Sequence, residues 1–274
     1  MSFEREDLHW ARPVVGGPTG VLVLAGSSGR IDAGRADVLA ASGATALAIR
    51  WFGGTHQPAA PREIRLETFV EALDLLAKEC DQVAILGLSY GAEAALLTAT
   101  RDSRVTAVIA VSPTDVVWEG ARSSAVDSST SKWTWRDEPV PFVPFDRTWS
   151  ALEDPPAFAP YYRQSRQIAS ARIVESARIP VERFTGDLVL IAGGDDQVWP
   201  SLEYARNMAD VRSHHGLKTA LISDETAGHQ VVFPGELATH SARPYRIGGS
   251  PLAAERLGAS AWPTIQTALG LGKD

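Results

Sequence analysis

Apolar residues along this chain follow two alternating patterns. Short uninterrupted apolar runs are followed by longer stretches in which apolar residues recur every three or four positions. The runs lie at residues 21–26, 45–51, 83–88, 105–112, 187–192 and 218–223. The helical stretches lie at residues 31–41, 63–78, 91–98, 201–210 and 251–271. Uninterrupted runs indicate strands buried on both faces, so the pattern predicts an α/β fold with a doubly wound, mostly parallel sheet.

The pattern fails between Pro113 and about Pro180, where tryptophan and proline are frequent. An insertion of this size in a compact domain is usually functional or disordered, and aromatic side chains that can bury area argue against disorder. We therefore predict an aromatic- and proline-rich cap over the C-terminal edge of the sheet, with a helix at residues 168–177. The alternative is an excursion that packs on the flank of the domain.

Length and charge narrow the class of protein. The 274 residues, 45% of them hydrophobic, suit one α/β domain that spans residues 1–274. The net charge of −7 argues against nucleic acid and against an anionic membrane surface as partners. No apolar run approaches the ~20 residues that cross a bilayer, and the polar start MSFEREDLHW is unlike a secretory signal, so we expect a cytoplasmic protein.

The third apolar run ends in the motif Gly87-Leu88-Ser89-Tyr90-Gly91, which an Ala/Leu-rich helix follows. A G-x-S-x-G motif between a strand and a helix is typical of a nucleophile elbow, in which glycines make room for a sharp turn. The turn exposes the serine hydroxyl next to the N–H groups that begin the helix. Ser89 is therefore the predicted nucleophile, and an ordinary Gly-Ser turn is the alternative.

A serine hydroxyl needs a general base, and the base needs an acid to orient it. In this order of elements both follow the serine, each on a loop after a strand. Asp195 and Asp196 follow the fifth apolar run, and the spacing to Pro200 favours Asp196, although both could simply cap the next helix. His229 follows the sixth run directly and is the predicted base, with His240 as the fallback.

An oxyanion hole requires two donors directed at the developing negative charge. We predict the backbone N–H groups of Tyr90 and Ser27, the latter from the glycine-rich loop after the first run. That loop could also be a turn without a chemical role. Candidate pocket residues are Ser28, His56, Trp118, Trp133, Trp135 and Trp199. No Cys/His cluster and no G-x-G-x-x-G motif is present, so neither a metal nor a cofactor is predicted.

Five segments together resemble a known family. They are GSSG, GLSYGAEAAL, SKWTWRDEPVPFVPF, IPVERFTGDLVLIAGGDDQVWPS and AGH. They resemble the catalytic α/β-hydrolase domain of the acyl-CoA thioesterase and bile acid–CoA:amino acid N-acyltransferase family, in its bacterial members. The resemblance implies the α/β-hydrolase fold, Ser89, Asp196 and His229 as the triad, and a cap that helps form the acyl pocket. Serine rather than cysteine at the nucleophile favours hydrolysis.

The predicted function is hydrolysis of an acyl thioester, bound to CoA or to an acyl carrier protein, through an acyl-serine intermediate. One alternative is a carboxylesterase or dienelactone-hydrolase-like enzyme that cleaves an ester or lactone. Others are an acyltransferase or cyclase with an amine or hydroxyl acceptor, and an inert relative that binds a ligand under the cap. Arg30, Arg62 and Arg65 could meet CoA phosphates or be solvated surface. The tryptophans of the cap suggest a flat apolar or aromatic acyl group, and the alternative for most of them is stacking within the cap itself.

Overall fold

The computed structural model describes residues 3–122, 128–237 and 244–272. Its strands are β1 (Leu8–Ala11), β2 (Thr19–Leu24), β3 (Thr45–Ile49), β4 (Ile64–Arg65), β5 (Gln82–Leu88), β6 (Val105–Val111), β7 (Trp133–Trp135), β8 (Glu138–Pro139), β9 (Asp187–Gly193) and β10 (Ala220–Asp224). Its α-helices are α1 (Ala33–Ala41), α2 (Glu67–Leu76), α3 (Tyr90–Ala99), α4 (Ala159–Ile168), α5 (Ala171–Ala177), α6 (Ser201–His214) and α7 (Pro251–Ala268).

Seven strands form the central sheet in the order β1-β3-β2-β5-β6-β9-β10. The six predicted strands all lie in it and run parallel to one another, so the predicted mostly parallel sheet is confirmed. The sequence analysis missed β1, which pairs antiparallel with β3 and places Leu8 opposite Ile49. Four residues without a long apolar run carry little signal of their own, and β1 depends on its neighbour for its hydrogen bonds.

Both faces of the sheet are covered by helices, as the uninterrupted apolar runs predict. All six residues of β2 are buried, and successive side chains enter opposite layers. Leu22 and Leu24 pack with α2, α3 and α6 in one apolar cluster. Val21 and Val23 pack with α1 and α7 in the other. The helices therefore cover the two faces of the sheet, and the loops that follow β2, β5, β9 and β10 emerge at the carboxyl ends of the strands.

Two predicted helices have different bounds in the structure. The stretch at 63–78 becomes helical at Glu67, because Ile64 and Arg65 form β4 and pair with β7. The helix predicted at 168–177 is present as α5 and ends at Ala177 as predicted, but it begins three residues later, at Ala171. α4 ends at Ile168, and α5 begins after Ser170, whose hydroxyl accepts a hydrogen bond from the Ile173 N–H as an N-cap.

In its described residues, the region from Pro113 to Pro180 has loops, two short strands and two helices. Its strands β7 and β8 join β4 in a small three-stranded sheet, which ties the region to the segment before α2. Its aromatic side chains form an apolar cluster with Trp199 and Tyr204 of the following segment. Within the described ranges, none of the helices combines the length and the apolar character needed to cross a bilayer.

Candidate active site

Ser89 occupies a sharp turn between β5 and α3. Its backbone has φ 58° and ψ −117°, a left-handed conformation that a residue with a side chain rarely adopts. A Cβ atom on Gly87 would lie 2.1 Å from the Gly91 carbonyl oxygen, and one on Gly91 would lie 2.3 Å from that of Leu24. The two glycines are thus required by close backbone approach. Tyr90 and Gly91 begin α3, where N–H groups have no acceptor within the helix.

Asp196 and His229 form a buried pair on two adjacent loops. Asp196 follows β9 and His229 follows β10, and Asp196 Oδ2 lies 2.8 Å from His229 Nδ1. The other carboxylate oxygen accepts the N–H groups of Val198 at 2.9 Å and Trp199 at 3.2 Å. Because a carboxylate can only accept, Nδ1 carries the proton and Nε2 is left free to accept one. Asp195 is exposed and does not take part in this pair.

Three further contacts hold the loop that carries His229. The His229 N–H donates to the Ile247 carbonyl oxygen at 2.8 Å, and its carbonyl oxygen accepts the Ser112 hydroxyl at 2.7 Å. Trp199 packs edge-on against the imidazole, with ring centroids 5.7 Å apart. Ser112 itself has a positive φ of 46° at the end of β6. Sequence reasoning missed this serine, because a serine at a strand end looks like an ordinary turn residue.

Ser89, Tyr90 and His229 line one cavity of about 930 Å³ at the carboxyl ends of the strands. Ser27 and Ser28, from the loop after β2, line the same cavity. A Cβ atom on the neighbouring Gly26 would lie 3.1 Å from Ser89 Cβ, so this loop passes directly beside the serine. The cavity thus collects the predicted nucleophile and base together with both predicted oxyanion residues. The fallback base, His240, lies outside the described residues.

Aromatic rings from the region predicted as a cap form one wall of this cavity. The residues are Phe145, Phe158, Tyr161 and Tyr162, with Tyr245 from the segment after His229. Phe145 is stacked between Trp118 and Tyr161, with centroid separations of 5.6 Å and 4.9 Å. Burial raises the pKa of Tyr161 to about 12 and raises that of Tyr162 well above its ordinary value. Both tyrosines are neutral at physiological pH, so these rings leave the wall uncharged.

Most of the candidate pocket residues lie outside the cavity lining. Trp118, Trp133 and Trp199 are fully buried and outside the lining. Trp118 and Trp199 pack against Tyr162 of the wall, whereas Trp133 packs against Trp51 and Phe69. Trp135 lies half-buried beside the guanidinium groups of Arg101 and Arg136. His56 borders a separate shallow depression with residues of the N-terminal segment. Among the six, Ser28 alone is part of the described lining, so the aromatic wall comes from phenylalanines and tyrosines that sequence reasoning did not single out.

A second wall of the cavity carries the Arg, Asp and Glu side chains of the described lining, beside apolar ones such as Val38 and Val231, and is named the polar wall. It is built by α1, by the loop before it and by residues 230–237. Arg35 crosses between these parts, with its Nε 2.6 Å from a carboxylate oxygen of Glu236 and one Nη donating to the Val231 carbonyl oxygen. Arg30 also lines this wall. Arg62 donates instead to the carbonyl oxygens of Ala121 and Ser128, and Arg65 lies near Glu67 and Asp137.

Comparison with known proteins agrees with this arrangement of elements. The family described as BAAT / Acyl-CoA thioester hydrolase C terminal matches residues 64–268, well over half of the chain. The chain belongs to this family. Acyl-coenzyme A thioesterase 6 of Mus musculus is 28% identical over 262 residues, which cover 90% of this chain and 58% of that protein. Acyl-coenzyme A amino acid N-acyltransferase 2 of Mus musculus is 23% identical over 259 residues, with the same coverage of 90% and 58%. The chain therefore spans less than two thirds of these BAAT-family relatives.

Solved structures identify the fold. A structure from Klebsiella pneumoniae subsp. pneumoniae, assigned to a dienelactone hydrolase, superimposes with a TM-score of 0.56 at 12% identity, covering 96% of this chain and 92% of that one. The acylaminoacyl peptidase of Pyrococcus horikoshii superimposes with a TM-score of 0.52 at 11% identity, covering 81% of this chain and 35% of that one. At this identity the likeness concerns the fold alone. The BAAT-family chain has the α/β-hydrolase fold, as the sequence predicts.

Proposed function

We propose that this protein is a serine hydrolase that cleaves an acyl thioester through an acyl-Ser89 intermediate. One observation carries the proposal: a buried Asp196–His229 pair faces the same cavity as a serine at a strained strand-to-helix turn. A hydroxyl in this position needs a neutral imidazole to take its proton, and the hydrogen bond to Asp196 leaves Nε2 available for that role. Membership of a family named for acyl-CoA thioester hydrolysis supports the thioester.

The reaction would proceed in two steps. His229 removes the Ser89 proton while Oγ attacks the carbonyl carbon, and the oxyanion is held by the N–H groups of Tyr90 and Ser27. Collapse of the tetrahedral intermediate breaks the C–S bond, and the sulfur leaves with little acid assistance because thiol pKa values lie near ~8.5. The departing sulfur takes up the proton held by His229, which restores the neutral imidazole. Water, activated by His229, then attacks the acyl-serine and releases the carboxylic acid. Asp196 stabilises the imidazolium that forms in each step.

The two walls of the cavity suggest where each half of the substrate binds. The uncharged aromatic wall suits the acyl group, and the polar wall of α1 and residues 230–237 suits the thiol half. Two arginines and three acidic residues line the polar wall: Arg30, Arg35, Asp32, Asp37 and Glu236. Because Arg35 is already paired with Glu236, this wall offers little cationic surface for nucleotide phosphates. We therefore propose that it binds the uncharged pantetheine-like end of CoA or of a carrier-protein arm.

A matched panel of substrates tests this proposal. Thioester and oxygen-ester pairs with the same acyl group are compared through kcat/KM, with Ser89→Ala as the control for background hydrolysis. We expect the thioester of each pair to be preferred and Ser89→Ala to be inactive. A preference for oxygen esters or lactones would instead identify a carboxylesterase or dienelactone-hydrolase-like enzyme. Turnover by Ser89→Ala at the wild-type rate would refute the serine mechanism.

Transfer to an amine or hydroxyl is the second candidate function, because the relatives include amino acid N-acyltransferases. It shares the acyl-Ser89 intermediate and differs only in the acceptor that resolves it. Mass spectrometry of the products formed with glycine, taurine or short alcohols present separates the two. The free carboxylic acid as the sole product supports hydrolysis, and an amide or ester product supports transfer. Acyl groups on CoA, on N-acetylcysteamine and on an acyl carrier protein further identify the thiol half.

A further inference from the structure

A fully buried ion pair lies directly behind the predicted nucleophile. Glu93 is in the first turn of α3 and is 0% exposed, and Lys132 comes from the cap and is 1% exposed. Their charged groups meet at 2.7 Å, between Lys132 Nζ and Glu93 Oε2. The other carboxylate oxygen accepts the Trp133 indole N–H at 2.8 Å and the Trp118 backbone N–H at 3.2 Å. Burying two charges is costly, and a fold can use such a pair for purposes other than stability.

The ammonium group also contacts Tyr90, the residue that follows the nucleophile. Lys132 Nζ lies 3.4 Å from the centroid of the Tyr90 ring, a close cation–π contact. The same ring packs against Trp199 at 5.6 Å, and its hydroxyl lies 3.2 Å from that of Tyr162. The Tyr90 side chain is thus contacted by Lys132 on the face of its ring, by Trp199 at the side of its ring and by Tyr162 at its hydroxyl. Fixing this side chain fixes the backbone that carries the Tyr90 N–H.

The Glu93–Lys132 pair also has an electrostatic role. Glu93 is one helical turn from Ser89, a Cα separation of about 6 Å along the axis of α3. A lone carboxylate in the first turn of this helix would oppose the negative charge that develops on the substrate carbonyl oxygen. Lys132 cancels that charge while leaving the carboxylate to tie Trp118 and Trp133 of the cap to α3. The cap and the oxyanion site are therefore joined through one ammonium group.

We propose that Lys132 is a positioning residue for catalysis, which holds Tyr90 so that its N–H meets the oxyanion and which neutralises Glu93 beside it. This inference rests on the proposed function of Ser89. It predicts that removing the ammonium weakens transition-state binding more than substrate binding. Arg166 provides a matched control, because it pairs with the buried Asp115 and lies over the ring of Tyr204, 5.4 Å from the centroid, outside the cavity lining.

The test compares Lys132→Met with Arg166→Met in the full chain, with rates expressed per folded protein measured by circular dichroism. We expect Lys132→Met to lower kcat by about 10- to 100-fold with little change in KM. Its affinity for a trifluoromethyl ketone analogue of the substrate should fall by the same factor as kcat/KM. Arg166→Met should lose stability and retain kcat. Equal kcat values in the two variants would overturn the proposal.

If Lys132→Met does not fold, two further comparisons test the proposed role of Lys132. Glu93→Gln/Lys132→Met buries no charge, and it should fold and recover part of the lost kcat, because no unpaired carboxylate then remains in the first turn of α3. Tyr90→Phe keeps the ring under the ammonium and loses only the contact of the hydroxyl with Tyr162, so its kcat should fall less than that of Tyr90→Leu, which loses the ring and about tenfold or more in kcat. An equal fall of kcat in the two Tyr90 variants would overturn the proposal.

Failure of the proposed function is recognised separately. A wild-type protein without hydrolase activity, or an active Ser89→Ala protein, would refute both the function and the inference. Wild-type hydrolysis that depends on Ser89, combined with a Lys132→Met variant that behaves like Arg166→Met, would refute only the role of Lys132.

Discussion

Asp196 accepts a hydrogen bond from the Nδ1–H group of His229 at 2.8 Å, whereas Asp195, one residue earlier, accepts one from the Gly249 N–H at 2.7 Å. Two adjacent carboxylates of the same type therefore have separate tasks. One lies buried behind an imidazole, and the other anchors a surface segment. The difference follows from the direction of the loop after β9, which turns successive side chains to opposite sides.

Substitution of these aspartates should separate the two tasks. Asp196→Asn keeps the shape but presents an amide to Nδ1, which favours the wrong tautomer of His229. We expect kcat to fall by about 10³- to 10⁴-fold with the fold retained. Asp195→Asn is the matched control and should keep kcat within a few-fold of wild type. Steady-state kinetics of both variants provide the measurement, and equal losses in the two would contradict the assignment of Asp196.

The turn at Ser89 should tolerate no side chain at Gly91. A Cβ atom there would lie 2.3 Å from the Leu24 carbonyl oxygen and 2.6 Å from that of Ala25, so the backbone must move. We expect Gly91→Ala to lower the free energy of unfolding by about 3 kcal/mol or more and to abolish activity. Gly34→Ala in α1 meets no atom within 4 Å and should be neutral or stabilise by about 0.5–1 kcal/mol. Urea denaturation measures both, and a Gly91→Ala protein of wild-type stability would contradict the steric account.

Burial of three tyrosine side chains, Tyr161, Tyr162 and Tyr204, should make the stability of the protein sensitive to alkali. Burial raises the pKa of Tyr161 to about 12 and raises those of Tyr162 and Tyr204, whose ordinary value is 10.0. Above pH 10 the unfolded chain loses these protons while the folded chain keeps them. Stability is therefore complete below pH 10 and falls as pH rises beyond it, by about 1.4 kcal/mol per pH unit for each tyrosine ionised only in the unfolded state.

Urea denaturation between pH 8 and 11 tests this dependence. The free energy of unfolding should be level up to about pH 10 and then decline. Tyr162→Phe removes one of the protons concerned and should give a shallower decline. A stability that stays constant to pH 11, or an unchanged slope in Tyr162→Phe, would contradict the prediction.

The sheet and the elbow were predictable because their signals are local. The runs of β2 and β5 are apolar throughout, which only a sheet covered on both faces accommodates, and the glycines around Ser89 answer a steric need within five residues. β1 was missed because a four-residue edge strand gains its hydrogen bonds from β3. Its identity depends on a partner far away in the chain.

The cap was predictable in composition and not in detail. The tryptophans suggested a pocket wall. Their rings, the largest of any side chain, are instead buried away from the cavity, where they lose the most contact with water, and the tyrosines remain at the cavity. Burial of Glu93 and Lys132 was equally unpredictable from the sequence. Each charge is tolerated only because the other arrives from a segment 39 residues away, and no local pattern encodes that meeting.

The most direct test of the account is covalent trapping of the nucleophile. Wild type and Ser89→Ala are incubated with a fluorophosphonate, digested, and searched by mass spectrometry for the modified peptide, with hydrolysis of a thioester followed in parallel. The account predicts a single adduct on Ser89, loss of thioester hydrolysis in step with labelling, and no adduct in Ser89→Ala. Labelling of a different residue, or hydrolysis that continues after Ser89 is fully modified, would contradict it.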